Sequence, residues 1–235
     1  MEKEEISKYA RELGANIIEM EIESQFRCNG SDNYLDWLEY VLGHTNNKKI
    51  LRKEEKFDFQ IFDSAEKLYE IIKQKNSQKG MTARLVAGYC WSWSTKVDET
   101  GNLVKDVKIG DFALPWETHV NIRPPDGYVN WYEWAYKPEG IKQVGCIYTV
   151  QGFEFDYIGV IIGPDLKYDP IKDCLVTNID GNKDPMLKKK KDRPNFDMYV
   201  RNIYRVLMSR GMKGCYAYFV DKEVEKYFKS KLSQD

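Results

Sequence analysis

The chain has 235 residues, 42% of them hydrophobic, which is enough to build one sizeable core. Thirty-six Lys and Arg against 37 Asp and Glu leave a net charge of −1, so no global positive field recruits nucleic acid and any such contact needs a local patch. Five cysteines stand apart with no CxxC, and His44 and His119 are the only histidines; this argues against a disulfide framework, a Cys/His metal site and a Ser-His-Asp triad. No metal site is expected. The first residues are charged and no apolar run approaches membrane-spanning length, so the expected location is cytoplasmic.

In chain order, Ser31 or Asp32 caps a helix over NYLDWLEYVLG, and FDFQIFDS (57–64) follows as a strand. Ser64 caps a second helix, AEKLYEIIKQK, and ARLVAGYC (83–90) reads as the next strand. Residues 91–142 hold five of the six tryptophans together with Pro115, Pro124, Pro125 and Pro138 and show no sustained period; an irregular insertion packed over the sheet by its aromatics is expected, with a base-stacking surface as the alternative. VGCIYTV (144–150) and YIGVIIG (157–163) are expected strands. The polar stretch 166–194 reads as a second insertion, whose Lys188–Lys191 run is either a solvated face or a phosphate-contacting loop. A helix over 196–210, the strand GCYAYFV (214–220) and a helix after Asp221 complete the chain. Several strands lack polar alternation, as expected when helices cover both faces of a mainly parallel sheet. The pattern predicts one α/β domain with an open sheet over residues 1–235.

The 196–210 helix raises a question about one arginine. On a wheel advancing roughly 100 degrees per residue, Val200, Ile203, Tyr204 and Leu207 form the buried stripe, Arg201 and Arg205 face solvent, and Arg210 returns close to the stripe. An inward guanidinium needs acceptors; it either complements the helix C-terminus and an internal carboxylate or reaches a phosphate across a cleft. A second cluster is YTVQGFEFDYIGVIIG. There Gln151 and Gly152 follow an expected strand, Glu154 comes two residues later and Asp156 leads into the next strand, a setting in which backbone amides can approach an anion and a carboxylate can accept ribose hydroxyls.

QGFEFDYIGVIIG resembles motif V of superfamily 1 helicases, YRVLMSRGMKGCYAYFV resembles motif VI, and ESQFRCNGSDNYLDWLEYVL resembles motif IV. In this order, near 148–156, 201–213 and 25–31, they resemble the second RecA-like domain of such a motor. The phrasing of QFRCNGSDNYLDWL, AGYCWSW and YRVLMSRGMKG is similar to a Schlafen-related group of bacterial helicase-like proteins. The resemblance implies a P-loop NTPase-type RecA-like fold. It also implies that Arg210 and Arg27 contact the terminal phosphate of ATP, that Glu154 helps hold the ribose, and that Gln151 and Gly152 lie near nucleotide. Tyr148, Thr149, Lys188, Lys189 and Lys190 are the candidate nucleic-acid contacts. Tyr148 and Thr149 stand where many relatives carry His and Lys, which weakens the nucleic-acid coupling.

No stretch fits GxxxxGK[S/T], the loop that cradles phosphates and Mg²⁺. Asp63 ends a strand resembling Walker B, but capping of the next helix explains it better. The expectation is therefore half a motor: a domain that supplies arginines to MgATP held by an N-terminal P-loop domain in the same or a neighbouring polypeptide, with single-stranded DNA or RNA as partner. Its beginning fits a truncated chain or a split gene product, and ATP hydrolysis by this chain alone is not expected. Two other readings stand beside it: a catalytically inert interaction module of degenerate RecA-like fold, and an Mg²⁺-dependent nuclease using Asp156, Asp165 and Lys167.

Overall fold

The computed structural model describes residues 3–18, 27–53, 56–189 and 193–233. Four parallel strands form the central sheet: β1 (Asp58–Ile61), β2 (Ala83–Ala87), β5 (Phe155–Ile162) and β8 (Gly211–Phe219), in the order β1-β8-β5-β2. The two central strands, β5 and β8, are buried along most of their length, and past the Asp156–Lys213 pair near their starts their sequences run without a charged residue. Side chains alternate between two layers. Ile158, Val160 and Ile162 of β5, with Cys215, Ala217 and Phe219 of β8, enter one core with helices α2 (Asp32–Val41), α5 (Phe196–Met208) and α6 (Lys222–Ser230). Ile161, Tyr216 and Tyr218 face the other, where α3 (Ala65–Ser77) contributes Leu68 and Ile72. The result is an open α/β sheet flanked by helices on both faces. Gly159 permits that second layer: a Cβ there would lie 2.7 Å from Ile72 Cγ1.

Local chemistry sets the helix starts. Ser31 accepts from the Tyr34 amide, Ser64 from the Lys67 amide, and Asp221 from the amides of Glu223 and Val224, each satisfying otherwise orphaned donors of a first turn. Asp63 is not itself the cap; it pairs with Lys67 at 2.9 Å. An amphipathic helix, α1 (Lys3–Glu12), precedes the sheet domain. Among the described residues no helix is long and apolar enough to cross a membrane.

Three expectations about local structure are corrected. Residues 144–150 are not a strand. Val144 and Gly145 do run extended against Trp116 and Val86, but the chain then turns into the short helix α4 (Ile147–Val150), because the Thr149 hydroxyl accepts from the Cys146 amide at 3.0 Å and closes a helical turn. The helix expected to reach residue 210 stops at Met208; the Ser209 amide caps back onto Arg205 and Leu207, while the Arg210 carbonyl turns away to accept from Phe155. Arg201 is not a solvated charge. Its guanidinium donates to the carbonyls of Leu42 and Leu175, both at 2.6 Å, and pairs with Asp197.

The two insertions contain short hairpins, β3 (Val107–Ile109) with β4 (Phe112–Leu114), and β6 (Leu166–Asp169) with β7 (Cys174–Thr177). Trp134 and Trp116 bury their rings as core, whereas Trp131, Tyr132 and Tyr136 stay exposed. The tryptophan-rich insertion is held on the sheet by Arg84 of β2. This buried guanidinium donates to the carbonyls of Trp134 (2.8 Å) and Lys137 (2.7 Å), to the Ala83 carbonyl and to Asn76 Oδ1, and burial lowers its pKa to about 10. Arg84→Ala would leave those carbonyls buried without donors. It is expected to cost about 3 kcal/mol of unfolding free energy, measured by urea titration.

Candidate functional site

Arg27, Glu154 and Arg210 come from three separate elements and meet at the amino edge of the sheet. Arg210 stands in the two-residue link between α5 and β8, and its backbone carbonyl accepts the Phe155 amide at 2.9 Å, fixing it beside the start of β5. Glu154 is the residue just before that strand. Arg27 opens a 3-10 turn, Arg27–Gly30, in which Cys28 (φ 51°) and Asn29 (φ 54°) are both left-handed. A left-handed cysteine is strained, and it is held because its thiol is buried and donates to the Ser209 carbonyl, while Tyr34 Oη donates to Met208. The turn is thereby bolted to the end of α5, which brings Arg27 to Arg210.

The electrostatics of the three differ. Arg27 and Glu154 pair at 3.5 Å (Nε to Oε1) with both side chains nearly half exposed, a contact that water screens. Arg210 is 7% exposed, and its Nε is a buried donor without a hydrogen-bond partner. Desolvation, then the neighbouring positive Arg27, push its pKa below the usual arginine value, and Glu154 partly opposes them. So the inward direction read from the wheel holds, although the residue lies past the helix end. Gly152 adopts φ 83°, with open space where a Cβ would be; its glycine serves backbone conformation, not close packing. Gln151, Gly152 and Phe153 are exposed in the turn between α4 and β5.

The other candidates are placed as follows. Thr149 is buried, its hydroxyl engaged with the Cys146 backbone and with Glu117 Oε1 at 3.0 Å, so it supports the turn from inside and does not face a nucleic acid. Tyr148 is half exposed and donates to Asp184 Oδ2 at 2.5 Å, which joins it to the loop carrying Lys188 and Lys189; Lys190 lies outside the described residues. Asp156 is the second residue of β5, whereas Asp165 lies three residues past the strand's other end. Asp156 is tied to Thr82 and Lys213, Asp165 is buried against Tyr204 and Asn182, and Lys167 pairs with Asp221, a separation that removes the shared metal site of the nuclease reading.

One buried group escaped the sequence reading. Glu117, 1% exposed, accepts from Cys146 Sγ (3.1 Å) and Thr149 Oγ1 at Oε1, while Oε2 has no partner. Burial raises its pKa to about 7. It lies in an unperiodic segment, so nothing in the sequence marks it.

The arginine pair, the left-handed turn before α2 and the Gly152 turn thus occupy one edge of a parallel sheet. A family profile described as Schlafen group 3, DNA/RNA helicase domain, matches residues 1–221. The chain belongs to this family. The Schlafen-related helicase-like domain is also 30% identical over 227 residues to an uncharacterized protein of Saccharomyces cerevisiae, YPL245W. That alignment covers 87% of this chain and 46% of the relative, so the domain spans about half the length of the relative it matches. No solved structure matches the chain.

Proposed function

We infer that this domain is the second, RecA-like motor half of an ATP-dependent DNA or RNA helicase or translocase. Arg210 acts as the arginine finger on the terminal phosphate of ATP and Arg27 as a second, more solvated cation on the same anion. Glu154 serves the ribose, with Gln151 and Gly152 bordering the nucleotide. ATP and Mg²⁺ are held mainly by a P-loop domain in the same or a neighbouring polypeptide.

The observation that carries this reading is the buried Arg210 Nε without an acceptor. A guanidinium cannot shed its proton at ordinary pH, so a desolvated one short of acceptors favours an anion arriving from outside. Phosphoryl transfer places negative charge on equatorial oxygens, and such an arginine contributes about 10³ to 10⁵ in rate. The Arg27–Glu154 pair fits the same role, since half-exposed groups can exchange partners at little cost.

The test is ATPase activity of this chain with and without a P-loop-bearing polypeptide, in single-stranded DNA and in RNA. Activity is expected only in the combination, and the nucleic acid that stimulates it identifies the partner. Silence in every combination would leave the inert interaction module as the better account.

A further inference from the structure

A largely apolar groove of about 230 Å³ runs between α4 and α5, lined by Ile147, Tyr148, Leu187, Tyr199, Ile203 and Val206, with Asp184 and Asn202 as its polar residues. Tyr199, Ile203 and Val206 fall four and three residues apart on α5 and so share one face of that helix; Ile203, expected in the buried stripe, is only partly buried and with Val206 packs at the border of the core. Two of the lining residues are tyrosines that offer ring surface. The far wall is the loop 182–189. It is fixed from beneath: Asn182 is fully buried and donates to Asp165 at 2.9 Å, the Lys183 amide donates to the Tyr89 carbonyl at 2.7 Å, and buried Asp184 accepts from Tyr148. The groove is therefore preformed.

Its rim is cationic in a chain that is otherwise balanced. Among the described residues of the far wall, Lys183, Lys188 and Lys189 are basic, and the one carboxylate there, Asp184, lines the groove with Oδ2 occupied by the Tyr148 hydroxyl. An apolar, aromatic-lined slot edged by lysines complements a base attached to a phosphate backbone, since rings stack on any base and lysines neutralise phosphates. An apolar protein segment would fill the slot equally well but gives the lysines nothing to do.

We propose that the α4/α5 groove takes an unstacked base of single-stranded nucleic acid, with Tyr148 and Tyr199 against the base and Lys183, Lys188 and Lys189 on the flanking phosphates. This rests on the motor reading for its partner class and adds the place and mode of contact. The groove also adjoins the arginine site, because α4 leads straight into the Gly152 turn and Val206 lies four residues before Arg210.

The test needs no ATP. Fluorescence anisotropy would compare a labelled oligothymidylate with an abasic strand of equal length on the wild-type chain, on Tyr199→Ala and on Lys188→Gln/Lys189→Gln. The base-bearing strand should bind about tenfold tighter, Tyr199→Ala should erase that advantage, and the lysine variant should weaken both strands alike and flatten the salt dependence. Irradiating the wild-type complex with a 5-iodouracil strand should cross-link Tyr148 or Tyr199, a readout independent of how any variant folds. Equal binding of the two strands, or cross-links elsewhere, would overturn the base pocket while leaving the motor reading intact. So would a chain that binds neither strand but whose Tyr199→Ala variant fails to restore ATPase with the P-loop polypeptide; that result would make the groove a protein interface.

Discussion

Arg210→Ala is expected to lower ATP turnover of the reconstituted protein by about 10³-fold or more while leaving the chain folded. The second half follows from the geometry. Arg210 Nε makes no hydrogen bond, and burial already disfavours its charge, so deleting the guanidinium removes a desolvation cost along with some packing. The thermal midpoint should therefore move by only a few degrees. Arg210→Lys should not recover the rate, because a point charge on a flexible stem cannot reproduce the planar fork. Arg27→Ala should cost less, about tenfold to a hundredfold, since Arg27 is nearly half exposed and shares its charge with Glu154. Turnover assays combined with thermal melts separate the cases. An Arg210→Ala protein that unfolds but, where folded, keeps its rate would identify a structural arginine.

Stability should fall as pH rises from about 5 to 8, and Glu117→Gln should remove most of that dependence. Glu117 ionises near the ordinary glutamate value of 4.5 in the unfolded chain but at about 7 in the folded one, because burial disfavours the carboxylate. Between those values the folded chain holds the extra proton, so each rise in pH favours unfolding. The stabilisation is complete below about 4.5 and gone above about 7. At 1.36 kcal/mol per pKa unit the whole change amounts to roughly 3 kcal/mol. Urea titrations at pH 5 and pH 8 measure it, and a wild-type chain equally stable at both would sink the assignment. The effect should reach the candidate site, because Glu117 Oε1 bonds Cys146 and Thr149, the residues that open and close the turn leading to Gly152.

Much of the domain was legible in the residues. The parallel sheet followed from strands without polar alternation, and three helix starts followed from Ser31, Ser64 and Asp221, because a cap bonds amides two or three residues ahead and so is a local event. Arg210 does face inward as the wheel suggested, but the helix ends at Met208, and what sets its place is its carbonyl accepting the Phe155 amide beside β5. Where the reading failed, a distant partner had decided. VGCIYTV looks like a strand by composition, but the Thr149 hydroxyl takes the Cys146 amide and Glu117 holds both, so the segment bends into α4. Arg201 looks like a surface charge, but carbonyls from Leu42 and Leu175, far away in the chain, surround it.

By itself, then, the sequence determined the open α/β fold class, the helix starts near their caps and a resemblance to Schlafen-related helicase-like proteins, because periodicity, capping and short runs of residues are written locally. The tertiary structure decided which charges are desolvated: the unpartnered Nε of Arg210, the raised carboxyl of Glu117 and the carbonyl-bound Arg84. It also decided that Tyr148 and Asp184 and Leu187 of the 182–189 loop share one groove with α5. Desolvation and convergence depend on what packs above a side chain, and those neighbours arrive from segments tens of residues away, at spacings that no local pattern records.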